Sequence, residues 1–171
     1  MVNKSALITG GAGYLGTVLS QNLLDNGYNV TCLDNLMYNQ SQVLKDLIKN
    51  EHFTFIEGDC RDQNLMKMEI SKHDVILPLA AIVGAPACDY NPERARTTNT
   101  ESIRLIDRLR SHEQKVVCPI SNSGYGTKSN EVYCTEESEL EPISLYGVTK
   151  VEAEKILLSS NLENLQKFYF L

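Results

Sequence analysis

The sequence predicts an α/β fold in which a parallel sheet is covered by helices on both faces. Short apolar runs alternate with segments of helical periodicity along the whole chain, the pattern of βαβ units with right-handed crossovers. A glycine-rich turn joins the first run to the first helix. At 171 residues and 42% hydrophobic, the chain can bury a core of its own. One domain spanning residues 1–171 is therefore expected.

Ser5 to Thr9 is an apolar run bounded by glycines and reads as a buried strand. From Tyr14 to Asn26, Leu15, Val18, Leu19, Leu23 and Leu24 recur at helical spacing, and Gly27 supplies a C-cap. Tyr28 to Leu33 is a second strand ending at Asp34, followed by a helix over Gln42 to Lys49 with Val43, Leu44, Leu47 and Ile48 on one face. Phe53 to Ile56 is a third strand, and a short helix follows over Asn64 to Ile70. Asp74 to Leu79 is a fourth strand, and Gly84 to Cys88 reads as a loop of small residues. A long helix runs from Pro92 to Arg110, a fifth strand from Lys115 to Ile120, and a further helix from Ser144 to Ser159. Gln166 to Leu171 reads as the opening of a sixth strand, so the fold is expected to be truncated there.

Composition removes several classes of function. The net charge is −6 with no Lys/Arg cluster, which argues against nucleic acid as a partner, since phosphate binding needs a cationic face. No apolar run is long enough to span a bilayer, and Met1 to Ser5 does not begin a signal peptide; a cytoplasmic protein is expected. The five cysteines are scattered without a C-x-x-C pair, as in a reducing compartment. His52, His73 and His112 lack neighbours at ligand spacing, so no metal site is expected.

Thr9-Gly10-Gly11-Ala12-Gly13-Tyr14-Leu15-Gly16 fits G-x-G-x-x-G through Gly11, Gly13 and Gly16, and a second spacing through Gly10, Gly13 and Gly16. Such a loop gives a tight turn, bare backbone for a pyrophosphate, and a helix N-terminus aimed at the anion. Asp34 stands at the end of the second strand, where a carboxylate accepts hydrogen bonds from ribose hydroxyls and repels a 2′-phosphate. A Rossmann-type, doubly wound sheet that binds NAD rather than NADP follows from that placement.

Two later stretches are more specific. Tyr146-Gly147-Val148-Thr149-Lys150 is a Y-x-x-x-K at a helix start, and Ser121-Asn122-Ser123-Gly124-Tyr125-Gly126 follows the fifth strand. With Thr9 to Gly16 and Gly58-Asp59-Cys60-Arg61-Asp62, they resemble the extended short-chain dehydrogenase/reductase family, and within it the NAD-dependent nucleotide-sugar epimerases and dehydratases.

The resemblance implies Tyr146 as catalytic tyrosine, Lys150 as its partner, and Ser121, or failing that Ser123, as the hydroxyl that holds the substrate oxygen. It places Tyr14, Leu15, Asn35, Leu36, Asp59, Cys60, Leu79, Ala80, Ala81 and Asn99 around the cofactor, beside the glycines and Asp34. Residues four apart share a helix face, so Tyr146 and Lys150 can meet one cofactor edge, and the ammonium would favour the phenolate. Dehydratases of the family carry Asp-Glu where Asn122-Ser123 stand, which speaks against elimination, and Pro78 holds a position where the family often has histidine. The resemblance implies an epimerase acting on a nucleotide-linked sugar; an NAD(P)-dependent reductase and a non-catalytic NAD(H) sensor are the alternatives. It also implies a homodimer formed through the Pro92–Arg110 and Ser144–Ser159 helices. The family's sugar-gripping C-terminal region is absent from this chain, so NAD binding with little turnover is expected of residues 1–171 alone.

Overall fold

A computed structural model describes residues 4–127, 133–135, 137–160 and 165–170, the last segment by its backbone only. Six parallel strands lie in the order β3-β2-β1-β4-β5-β6: β1 (Ser5–Thr9), β2 (Asn29–Asp34), β3 (Phe53–Glu57), β4 (Val75–Pro78), β5 (Lys115–Ser121) and β6 (Leu165–Phe170). The order reverses direction at β1, where β2 leaves on one side and β4 on the other. Ligands of doubly wound sheets bind in the crevice at such a point. The expected sixth strand forms, with Leu171 and Met1 to Asn3 outside the described residues.

Alternation along β1 explains the double winding. Ala6 and Ile8 join a core with Val30, Cys32 and Leu77 beneath α1 (Tyr14–Asp25). Leu7 points the other way and packs with Leu33, Ile76, Val116 and Ile120. That second core is closed by α2 (Gln63–Ile70), α5 (Ser102–Leu109) and α6 (Leu145–Ser159), through Met66, Ile70, Ile103, Ile106, Ala153 and Leu157. His73 is a core residue: Nδ1 bonds the Glu69 carbonyl at 2.6 Å and Nε2 meets Thr31 Oγ1 at 2.8 Å.

Three elements differ from the sequence reading. Gln42 to Lys49 is two short 3₁₀ turns, Ser41–Leu44 and Leu47–Lys49, rather than a helix. Side chains three apart eclipse in that geometry, so Leu44 and Leu47 are buried while Val43 and Ile48 face solvent. The small-residue loop winds into α3 (Ala85–Tyr90), started by Gly84 at φ 86° with a proline in its first turn, because the Cys88 thiol reaches back to the Ile82 carbonyl at 3.3 Å. The long helix is α4 (Pro92–Arg96), one π-helical turn (Thr97–Glu101) and α5. The wide turn sends Asn99 and Thr100 inward, both buried.

Among the described residues no helix is long and apolar enough to cross a membrane, and no group of three or more His, Cys, Asp or Glu could hold a metal ion. Leu7 is fully buried at the centre of the sheet, so Leu7→Ala should lower the unfolding free energy by roughly 2–5 kcal/mol in urea denaturation. A loss below about 1 kcal/mol would place that side chain outside a packed core.

Candidate active site

The carboxyl ends of β1, β2, β4 and β5 surround a cleft of about 550 Å³. Its first wall is the turn between β1 and α1. Gly10 adopts φ 71° and donates its N–H to the Leu33 carbonyl at 2.8 Å. A Cβ there would lie 2.6 Å from the Ala80 backbone nitrogen, so any side chain would push the β4 exit away. Gly10, Gly13 and Gly16 face the cleft together with Tyr14 and Leu15, whereas Gly11 packs on Cys32. Of the two glycine spacings, the Gly10–Gly13–Gly16 set therefore lines the site. Gly13 caps α1 without a side chain, and the first turn itself carries no acid.

Asp34 closes β2 and is buried. One oxygen accepts from the Ala12 N–H at 3.1 Å, and the other from the Leu36 N–H at 2.8 Å and Gln40 Nε2 at 3.4 Å. These bonds fix the carboxylate at the mouth of the glycine turn. Asp59 sits nearby after β3, its carboxylate gripped by Arg61 Nε at 2.9 Å and a terminal nitrogen at 2.7 Å, with Asn35 Nδ2 at 3.4 Å. The Arg61 hydrogen bonds hold its carboxyl down at about 2. Cys60 lines the cleft as a buried thiol that desolvation pushes up to about 12, which leaves it neutral and inert.

The opposite wall comes from β5 and α6. Ser144 caps α6 by accepting the Gly147 N–H at 3.1 Å. A Cβ on Gly147 would lie 2.6 Å from the Ser123 carbonyl oxygen, so glycine lets the helix press against the turn that follows β5. That contact brings Tyr146 beside Ser121 on the cleft wall. Ser121 donates to Ser123 Oγ at 3.0 Å and accepts the Ser123 N–H at 3.2 Å. Ser121 faces the cleft and Ser123 stands behind it as support. Lys150, one helical turn beyond Tyr146, lines the cleft but is only 6% exposed.

The charges of this pair are governed by burial. Desolvation holds the Tyr146 phenol above its ordinary value, opposed by Ser121. Burial likewise pulls the Lys150 ammonium below its ordinary value, opposed by Cys118. The sequence reading expected the Lys150 ammonium together with the nicotinamide ring to favour the phenolate; in the chain by itself desolvation is the largest influence on the phenol.

Leu79, Ala80 and Ala81 line the cleft floor as expected, and two other expectations do not place their residues there. Leu36 is a turn residue at φ 51° packed against the core, and Met37, Tyr38 and Gln40 line the adenosine end in its stead. Asn99 is buried behind the wall. Its oxygen accepts the Ile82 N–H at 2.7 Å, while its nitrogen donates to the Ile82 carbonyl at 3.0 Å and to Thr149 Oγ1 at 3.1 Å. Both ends of the amide are spent on protein, so it positions the site without facing the cleft. Arg94 and Thr98, which sequence reasoning missed, also line the cleft.

A family model described as the NAD dependent epimerase/dehydratase family matches residues 6–170. The chain is 34% identical over 161 residues to an uncharacterized UDP-glucose epimerase of Bacillus subtilis, covering 88% of this chain and 49% of that protein. It is 29% identical over 166 residues to a bifunctional UDP-glucose 4-epimerase and UDP-xylose 4-epimerase of Pisum sativum, with 90% and 47% covered. The UDP-Glc/GlcNAc 4-epimerase of Campylobacter jejuni is similar in structure with a TM-score of 0.87 at 27% identity, over 98% of this chain and 53% of that one. The UDP-glucuronic acid 4-epimerase of Bacillus cereus, solved with UDP-glucuronic acid and NAD, gives 0.83 at 28% identity, over 96% and 55%. The chain spans about half the length of the relatives it matches.

The Asp59–Arg61 clamp makes a direct prediction. A lowered carboxyl pKa means that the clamp stabilises the fold above about pH 4, and that this contribution drains away as pH falls toward about 2. A carboxyl-carbon NMR titration should place Asp59 near 2, and Arg61→Ala should return it toward 3.8. An Asp59 midpoint already at 3.8 with Arg61 present would rule out the clamp.

Proposed function

Since this chain belongs to the NAD dependent epimerase/dehydratase family, we propose that it is the NAD-binding portion of an epimerase acting on a nucleotide-linked sugar. The observation that carries this reading is that Tyr146, Ser121 and Lys150 line one cleft, with Lys150 one helical turn from Tyr146. A module that only sensed the dinucleotide would need no such proton-transfer pair.

The residues present fit the dinucleotide. Gly10 lies so close to Ala80 that no Cβ could occupy the turn, and the α1 N-terminus, with no acid in its own first turn, meets the cleft. Asp34 is held at the adenosine end, ready to accept from ribose hydroxyls, and its negative charge disfavours a 2′-phosphate. Asp59, kept ionised by Arg61, offers an acceptor for the adenine amine. When bound, the nicotinamide supplies a reversible acceptor for the hydrogen that leaves a sugar carbon with its electron pair.

The chain's own residues supply the proton chemistry. Tyr146, as phenolate, takes the proton of the hydroxyl on that carbon and returns it after the sugar has turned over. Ser121 holds the substrate oxygen; its single O–H, given to Ser123 Oγ at 3.0 Å, must be released from Ser123 to do so. Lys150 places a desolvated ammonium one turn below, where a cation favours the phenolate more strongly than it would in water. Asn122 lines the cleft where a water-eliminating relative would need a carboxylic acid, so epimerisation is favoured over elimination.

The chain spans about half the length of these relatives, and within it the cleft supplies the dinucleotide's site. A homodimer forms through α5 and α6, where Leu158 is half exposed; light scattering that found only monomer would remove this part of the proposal. In the full-length protein, Tyr146→Phe should lower kcat by roughly a hundred- to ten-thousandfold while NAD affinity stays unchanged. Undiminished turnover by that variant would end the catalytic assignment.

A further inference from the structure

Arg94 stands apart from most of the protein's arginines. Arg61, Arg96, Arg104 and Arg110 are each paired with a carboxylate: Asp59, Glu152, Glu101 and Asp107. Arg94 is half-buried and lines the cleft; its backbone N–H donates to the Asn91 side chain at 3.0 Å and its carbonyl accepts from Thr97 Oγ1 at 3.2 Å, while its guanidinium meets no carboxylate among the described residues. A guanidinium left without a carboxylate in a partly desolvated wall is a poor structural choice unless an anion meets it.

Its place in the fold says which anion. Ala95, fully buried against Ile82 and Cys88, pins α4 to the cleft wall. Thr98, four residues on, shares the lining face with Arg94. Thr97 accepts from Arg61 at 3.2 Å, and Arg61 clamps Asp59 at the adenosine end. Arg94 thus lies about one helical turn, roughly 5.4 Å, from that end along the helix. The glycine turn, with the N-terminus of α1 behind it, lines the same cleft. The other lining charges are committed elsewhere: Asp34 to backbone N–H groups, Asp59 to Arg61, and Lys150 at the Tyr146 end.

We infer that Arg94 closes on the pyrophosphate of the bound dinucleotide from the α4 wall. The inference rests on the dinucleotide reading of the cleft and adds a residue to it. A ligand whose adenosine lies at Asp34 and Asp59 and whose other ring lies at Tyr146 must carry its two phosphates through the middle. There the backbone N–H groups of the glycine turn hold one side of the anion and the guanidinium the other. Planar, forked donors suit paired phosphate oxygens.

The test is a binding series on the apo-protein and its Arg94→Gln and Arg94→Lys variants, using NAD, ADP-ribose, adenosine and UDP. Arg94→Gln should weaken NAD and ADP-ribose by roughly ten- to a hundredfold, the worth of a hydrogen bond to a charged group. Adenosine, which has no phosphate, should bind as before, and the salt dependence of NAD binding should become shallower. Arg94→Lys should recover part of the loss. Equal weakening of adenosine would mean that Arg94 acts only through the fold, and unchanged NAD affinity would remove its role; either result overturns the proposal. A loss confined to UDP would assign Arg94 to the sugar nucleotide and likewise overturn it. If the unmodified protein binds neither NAD nor ADP-ribose, the reading of the cleft fails first, and that result is distinct from the others.

Discussion

The site depends on one buried amide. Asn99 takes the N–H and the carbonyl of Ile82 at its two ends and still reaches Thr149, whose hydroxyl donates to the Tyr146 carbonyl at 2.9 Å. One side chain thereby ties the exit of β4, which forms the cleft floor, to the first turn of α6, which carries the tyrosine. The π-helical turn that contains Asn99 follows from this demand. An unbroken α-helix would aim that residue differently, and a buried amide left unpaired costs more than a distorted turn. The floor of the cleft and the wall that carries Tyr146 therefore share a rigid reference.

Electrostatically, the cleft is prepared rather than charged. Burial works against ionisation at both ends of the Tyr146–Lys150 pair, raising one group and lowering the other. Ser121 opposes that shift at the phenol. A positive charge arriving in the cleft acts at low local dielectric, so it shifts the balance further than it would in water. The tyrosine's basicity is in this sense conditional on what occupies the cleft. The adenosine end is settled in advance by contrast, with Asp34 and Asp59 both locked by hydrogen bonds from the chain.

Much of the site was readable along the sequence because its parts are local. The glycine turn, the strand-end Asp34 and the Tyr146–Lys150 spacing each lie within a few residues, and their roles follow from turn geometry and helix periodicity. Leu36 and Asn99 escaped for the opposite reason. Proximity in sequence suggested a cofactor contact, and side-chain direction decided otherwise: Leu36 turns onto the core and Asn99 onto backbone. Arg94 carries no local signature, because its meaning lies in the absence of a carboxylate beside it.

The sequence by itself determined the alternation of strands and helices, hence a doubly wound parallel sheet with a crevice at its carboxyl edge. It also determined the residue types that meet there, since patterning and glycine placement act over short ranges. Only the tertiary structure decided which glycine set lines the cleft, that Ser121 rather than Ser123 faces it, and that desolvation governs the Tyr146–Lys150 pair. Those outcomes depend on which surfaces are pressed together and how much water remains between them, and no stretch of chain carries that information alone.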